Sequence, residues 1–254
     1  MLKTIYTRLK QGYRTNAYPV ADVVMPAPYR GRPMIDQSCP PEVKKLCADS
    51  CPQQAIAADE GLLDLGRCVF CGMCQRAGDG KFIRFTNRFE MGVADPAALM
   101  TDGNIPDLAA ASRAEYRKLF GGSLQLRHVS AGGCNACEAD VNVLNTPVFD
   151  LARFGIGFTA SPRHADGILV SGPVPRNMQA ALMATYEAIP APKVVIAVGS
   201  CAISGGPFNG SGEVSKLSHH LPVDLFIPGC PPHPMTTLHA LLAYFTGKIP
   251  PSGQ

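Results

Sequence analysis

The chain has 254 residues, 46% hydrophobic and 17% charged, which is enough apolar material for a sizeable core and excludes a disordered polymer. Its 23 basic and 20 acidic side chains leave a net charge of +3, too balanced to point to nucleic acid or an anionic bilayer as the partner. The ten cysteines accompany an N-terminus, MLKTIYTRLKQGYRTN, without the apolar core and cleavage site of a secretory leader. In a reducing cytoplasm such cysteines point to metal ligation over disulfides.

Basic residues concentrate in the first 32 positions (Lys3, Arg8, Lys10, Arg14, Arg30, Arg32), a pattern read as a solvated or docking face. No segment approaches the ~20 consecutive apolar residues of a membrane span. The longest, Leu238 to Phe245, contains His239. The cysteines fall into two groups: Cys39, Cys47, Cys51, Cys68, Cys71 and Cys74, then Cys134, Cys137, Cys201 and Cys230. Between them, roughly from Arg88 to Gly122, runs a polar, alanine-rich stretch with Pro96 and Pro106 and a helical pattern from Ile105 to Phe120. The expected organisation is a small iron–sulfur domain over residues 1–87, a linker over 88–122 and an α/β domain over 123–254.

In the first group, Cys68, Cys71 and Cys74 are separated by two residues each, and Cys51 is followed by Pro52. Bacterial ferredoxins use the run C-x2-C-x2-C-x3-C-P, with the fourth cysteine serving the other cluster. On that logic Cys51, Cys68, Cys71 and Cys74 hold one 4Fe–4S cluster. Zinc is the competing reading, although zinc more often takes paired C-x2-C knuckles. A second cluster in this domain lacks ligands. Cys39 and Cys47 fit two positions of a stretched run, but Glu42 and Gly78 stand where cysteines are needed, so Cys39 and Cys47 are expected to be free thiols.

From residue 123 short apolar runs alternate with helical patterns. Strands are expected at Leu124 to Val129, Ile156 to Thr159, Gly167 to Val170, Lys193 to Val198 and Val223 to Ile227. Helices are expected at Val148 to Phe154, Asn177 to Ile189 and Pro234 to Phe245. This alternation argues a parallel sheet with helices on both faces. Cys134 and Cys137, Cys201, and Cys230 each follow the carboxyl end of a strand, where open α/β sheets bind ligands. Three glycine-rich loops thus deliver four thiolates to one edge, a second 4Fe–4S site.

Other features are weaker. Gly155-x-Gly157-x2-Ala160 imitates a dinucleotide fingerprint but follows a helical segment, the wrong context. His219 and His220 lie in a polar loop, and His164, with Arg163 and Asp166, is expected near the ligand edge. His233 and Glu138 neighbour Cys230 and Cys137 and are candidates for tuning or orientation. No nucleophile–base–orienter set appears, so no catalytic residue is assigned and single-electron relay is expected.

Two resemblances are specific. GYRTNAYP, PYRGRPMID, CPQQAI and DLGRCVFCGMC, within residues 11–85, resemble the ferredoxin-type subunit of group 4 membrane-bound hydrogenases and its counterpart in NADH:quinone oxidoreductase. That family usually carries two complete cysteine runs, from which this chain departs. GGCNACEAD, FGIGFTASPRHADGILVSGPV, VGSCAISGGPF and IPGCPPHP, within residues 124–246, resemble the proximal-cluster small subunit of nickel–iron hydrogenases and the 20 kDa subunit of NADH:quinone oxidoreductase. The quinone-reducing branch has adjacent cysteines in the first motif, whereas Cys134-x2-Cys137-Glu138 looks like the hydrogenase branch, with Ala136 replacing a glycine.

The resemblance implies a flavodoxin-like sheet after a ferredoxin-like domain, and two 4Fe–4S clusters relaying electrons. The implied partners are a hydrogenase-type large subunit holding the nickel–iron centre, a ferredoxin or another iron–sulfur subunit, and membrane subunits of the complex. It also implies a position on the inner face of a membrane through that complex. A related quinone- or ferredoxin-linked complex without nickel is the alternative.

Overall fold

The fold is that of a computed structural model, which describes residues 2–111, 114–120 and 122–246. Five parallel strands lie side by side in the order Leu225–Ile227, Val194–Val198, Gly167–Ser171, Leu124–Ser130 and Ile156–Phe158. Counted by sequence position from the far edge, that order is 2-1-3-4-5, the flavodoxin-like arrangement. GILVS and VVIAV are buried at every position, as expected of strands covered on both faces.

Side-chain alternation splits the core in two. Val194, Ile196 and Val198 join Leu169, Leu225 and Ile227 under the helix Pro234–Leu241. Val195 and Ala197 join Ile168, Val170 and Leu182, the last from the helix Arg176–Glu187. Leu169, in the central strand, is fully buried. Leu169→Ala is expected to lower the unfolding free energy by ~2–5 kcal/mol, read from urea titration of the full chain.

The N-terminal half packs onto both faces, with Tyr18, Met25 and Phe89 in the first cluster and its cysteine loop on the second. Leu63, Leu65, Cys68 and Phe70 belong to the same apolar cluster as Ile168, Val170 and Val195. Its own sheets are small: Pro33–Ile35 pairs antiparallel with Ile83–Phe85, and Leu62–Asp64 pairs with both Ile56–Ala57 and Met100–Thr101. The stretch expected as a linker is therefore built into both halves. Met100–Thr101 completes the N-terminal sheet. Val93 exchanges two backbone hydrogen bonds with Phe226, 3.0 and 2.8 Å, and covers the open edge of the large sheet.

Other expectations shift locally. The Val148 to Phe154 helix shrinks to a 3-10 turn, Leu151–Phe154, because Pro147 and the left-handed Asp150 interrupt it. The Ile105 to Phe120 pattern yields two short helices, Leu108–Ala111 and Ala114–Phe120, and residues 112, 113 and 121 lie outside the described residues. The last helix is α-helical over Pro234–Leu241 and continues as a π-turn over Leu242–Thr246. Residues 247–254 of the C-terminal half also lie outside the described residues. No helix among the described residues is long and apolar enough to cross a membrane.

Candidate cluster-binding sites

Three of the loops that leave the carboxyl ends of the parallel strands carry the cysteines. After Leu124–Ser130 the chain turns through Asn135, held at φ 72°, into the helix Ala136–Val143, whose second residue is Cys137. After Val194–Val198 it turns through Gly199, φ 87°, into Ser200–Ser204, whose second residue is Cys201. After Leu225–Ile227 it reaches Cys230. The four thiols Cys134, Cys137, Cys201 and Cys230 line one small cavity, together with Glu138, Ser171 and Ser200. Cys201 is buried, Cys137 half-buried, and Cys134 and Cys230 face solvent.

A second small cavity is lined by Cys51, Cys68, Cys71 and Cys74, with Pro52, Ile56, Leu63 and Phe85 around them. Its backbone is shaped for close approach. Phe70, between Cys68 and Cys71, takes φ 52°, and Gly72, between Cys71 and Cys74, takes φ 74°. Glycine takes this conformation freely, whereas that of Phe70 persists only where the surroundings enforce it. Backbone N–H groups point at sulfur: Ala55 donates to Cys51 Sγ and Phe70 to Cys68 Sγ, both at 3.4 Å.

The electrostatics of both cavities disfavour free thiolates. Burial pushes the Cys137 thiol up to about 12 and the Cys201 thiol up to about 11, and neighbouring cysteines push the same way. Cys230 is raised too, by the protein packed on one side of it and by Cys134, although solvent reaches its side chain. In the other cavity, burial raises Cys68 and brings Cys74 up to about 11, partly offset by N–H groups near sulfur. Thiols that repel one another as anions become stable thiolates when a cationic centre lies between them.

Among the described residues no three His, Cys, Asp or Glu side chains stand as close together as ligands of a single ion do. The thiols of each set instead surround a space. Four thiolates around one space is the donor set that an iron–sulfur centre takes.

Cys39 and Cys47 lie apart from both cavities' linings. They are buried with Phe82 and Ile83, and the Cys47 thiol donates to the Cys74 carbonyl at 3.3 Å. A Cβ added at Gly78 would stand 2.5 Å from Cys47 Sγ, so the position that lacks a cysteine faces this pair. Cys39→Ala is expected to leave iron content unchanged. A loss of about four irons per chain would show a further cluster there.

The remaining sequence candidates resolve into structural roles. His233 caps the final helix, its Nδ1 accepting from Met235 N–H at 3.1 Å, and burial lowers its pKa. His164 is a correction: it sits in an exposed turn, Pro162–His164, that feeds the amino end of Gly167–Ser171, opposite the ligand edge. Asp166 beside it accepts from Gln125 N–H at 2.7 Å, a brace between strands. His220 bonds Ser215 at 2.6 Å, and Gly155 ends the 3-10 turn before a strand, which excludes the dinucleotide context.

Sequence reasoning missed the contacts between the two sites. Ser200 Oγ donates to the Cys68 carbonyl at 2.6 Å and Ser204 Oγ to the Gly66 carbonyl at 2.8 Å, each across more than a hundred residues. The only signal in the sequence was adjacency to Cys201.

The family described as "NADH ubiquinone oxidoreductase, 20 Kd subunit" matches residues 134–244. Over 146 residues the chain is 39% identical to a probable membrane-bound hydrogenase subunit, mbhJ, of Pyrococcus furiosus, covering 54% of this chain and 87% of that one. It is 36% identical to formate hydrogenlyase subunit 7 of Escherichia coli, over 59% of each chain. It is also 44% identical to an NADH-quinone oxidoreductase subunit of Citrifermentans bemidjiense, over 43% of this chain and 65% of that one. The chain thus spans less than two thirds of these last two. Among solved structures, a chain of the archaeal membrane-bound sulfane sulfur reductase is similar, at 32% identity and TM-score 0.45, over 53% of this chain and 76% of that one.

Proposed function

The chain belongs to the family of the 20 Kd subunit of NADH ubiquinone oxidoreductase, which includes subunits of membrane-bound hydrogenases, and on that premise we propose that it is the electron-relay small subunit of a group 4 nickel–iron hydrogenase. It is an oxidoreductase subunit. Cys134, Cys137, Cys201 and Cys230 hold a proximal-type 4Fe–4S cluster, and Cys51, Cys68, Cys71 and Cys74 hold a second. Bound there, each cluster supplies a one-electron redox centre.

The observation that carries this reading is the convergence of four thiols, from three loops far apart in sequence, on one cavity at the carboxyl edge of the sheet. The chain's own residues do the positioning. Gly199 and Asn135 aim the cysteine-bearing helices, and backbone N–H groups stabilise sulfur charge. Cys134 and Cys230 leave one side of the C-terminal cavity open. We assign that side to the large subunit, where the substrate chemistry takes place. The N-terminal site then exchanges electrons with a ferredoxin or another iron–sulfur subunit. The complex sits at the inner face of a membrane, and this chain reaches it through the membrane subunits.

Cys134-x2-Cys137 favours the hydrogenase branch over a nickel-free, quinone- or ferredoxin-linked complex. The complex purified without oxygen is expected to contain nickel and to take up or evolve hydrogen. An active complex with neither property assigns the chain to the nickel-free alternative and overturns the hydrogenase reading.

A further inference from the structure

The two thiol sets could communicate by two routes, and the geometry separates them. One is a groove lined by Cys71 of the first set and Cys230 of the second, with Arg30, Phe70 and His233 along it. It is open to solvent. The other is buried. Ser200 is 1% exposed, adjoins Cys201, and donates its hydroxyl to the Cys68 carbonyl at 2.6 Å.

The hydroxyl carries one proton and has two acceptors in reach. The Gly229 carbonyl lies at 3.1 Å and already accepts from Ser200 N–H at 2.8 Å. The Cys68 carbonyl is nearer, and the short distance places the proton there. Cys68 and Cys201 are also among the most enclosed thiols of their sets.

We infer that Ser200 is the bridge between the two sites. This rests on the relay reading above. Electronic coupling falls off gently along covalent bonds, moderately across a short hydrogen bond and steeply across open space. A path from Cys68 Sγ runs through its own carbonyl, across the Ser200 hydroxyl, and along one peptide to Cys201 Sγ without leaving packed protein. One electron leaves the first site, which is oxidised by one, and reaches the second, which is reduced by one. No bond is made or broken and no proton need be released. Ser200 is a positioning residue and holds no electron itself.

Ser204 supplies an internal control. Its hydroxyl ties the same helix to the same loop, at the Gly66 carbonyl, but lies off the path. A purely structural role makes the two serines equivalent, whereas a bridging role does not.

The test uses the full chain prepared without oxygen, given one electron per molecule by a photogenerated flavin radical. Freeze-quench paramagnetic resonance then follows redistribution between the two clusters. Ser200→Ala is expected to slow redistribution several-fold with both clusters present, while Ser204→Ala and Ser200→Thr stay near the parent rate. Should Ser200→Ala fail to load, Ser200→Cys, with a longer and weaker donor, is expected to fall below Ser200→Thr. Equal rates in loaded Ser200 variants, or equal slowing by Ser204→Ala, overturn the bridge and leave the relay reading intact. A parent protein without two iron–sulfur signals overturns the relay reading, and the bridge with it.

Discussion

Cys201→Ala is expected to remove about half of the iron and acid-labile sulfide, and Cys71→Ala the other half, each erasing one of two paramagnetic signals. The separation follows from the geometry. The two cavities share no cysteine, and each draws its four thiols from its own half of the chain. Cys201 is held at the start of a buried helix, and the polar side chains that line the cavity beside the cysteines include the oxygen-bearing Ser171, Ser200 and Glu138. Hard oxygens replace soft thiolates poorly at iron–sulfur centres. Hydrogen-linked electron transfer is expected to be lost in both variants. Loss of all iron from either one would mean that the sites assemble as a single unit, and unchanged iron in Cys201→Ala would remove Cys201 from the ligand set.

The large sheet is legible in the sequence because its strands obey strong rules. KVVIAV is short, rich in β-branched residues and closed by Gly199, the marks of a buried strand, and each cysteine loop begins where such a run ends. The placement of these four cysteines at the carboxyl edge follows from that alone. What the sequence does not reveal depends on contacts without period or motif. Met100–Thr101 and Val93 pair through one or two residues, too few for any alternation to register. The segment around Asn16 and Tyr18 is held by Arg153, which donates to the carbonyls of these two residues at 2.9 and 2.8 Å. It is also held by Tyr18, which meets His239 Nδ1 at 2.7 Å. Such pairs, more than a hundred residues apart, look like ordinary surface residues until the fold joins them. The place of His164 eludes sequence reasoning for a related cause: a loop between two parallel strands must return to the opposite edge, and its end nearest the next strand lies there.

Gly199→Ala is expected to damage the C-terminal site although the residue bears no thiol. Gly199 has φ 87° and ψ 155°, a region essentially closed to residues with a Cβ, and forcing alanine there costs ~1–3 kcal/mol. The added methyl would also stand 2.5 Å from Cys137 Sγ, well inside van der Waals contact. Either the backbone turn before Cys201 opens or the Cys137 thiol moves away from its three partners. Both outcomes break the C-terminal set, so the variant is expected to keep the N-terminal iron, lose most of the C-terminal iron and unfold at lower temperature. Gly212→Ala separates this from a general sensitivity to alanine, because nothing lies within 4 Å of its added Cβ, and it is expected to match the parent in iron and stability. If Gly199→Ala retains both clusters at parental occupancy, Cys137 does not sit against this turn, and the four-thiol arrangement at the sheet edge loses its scaffold.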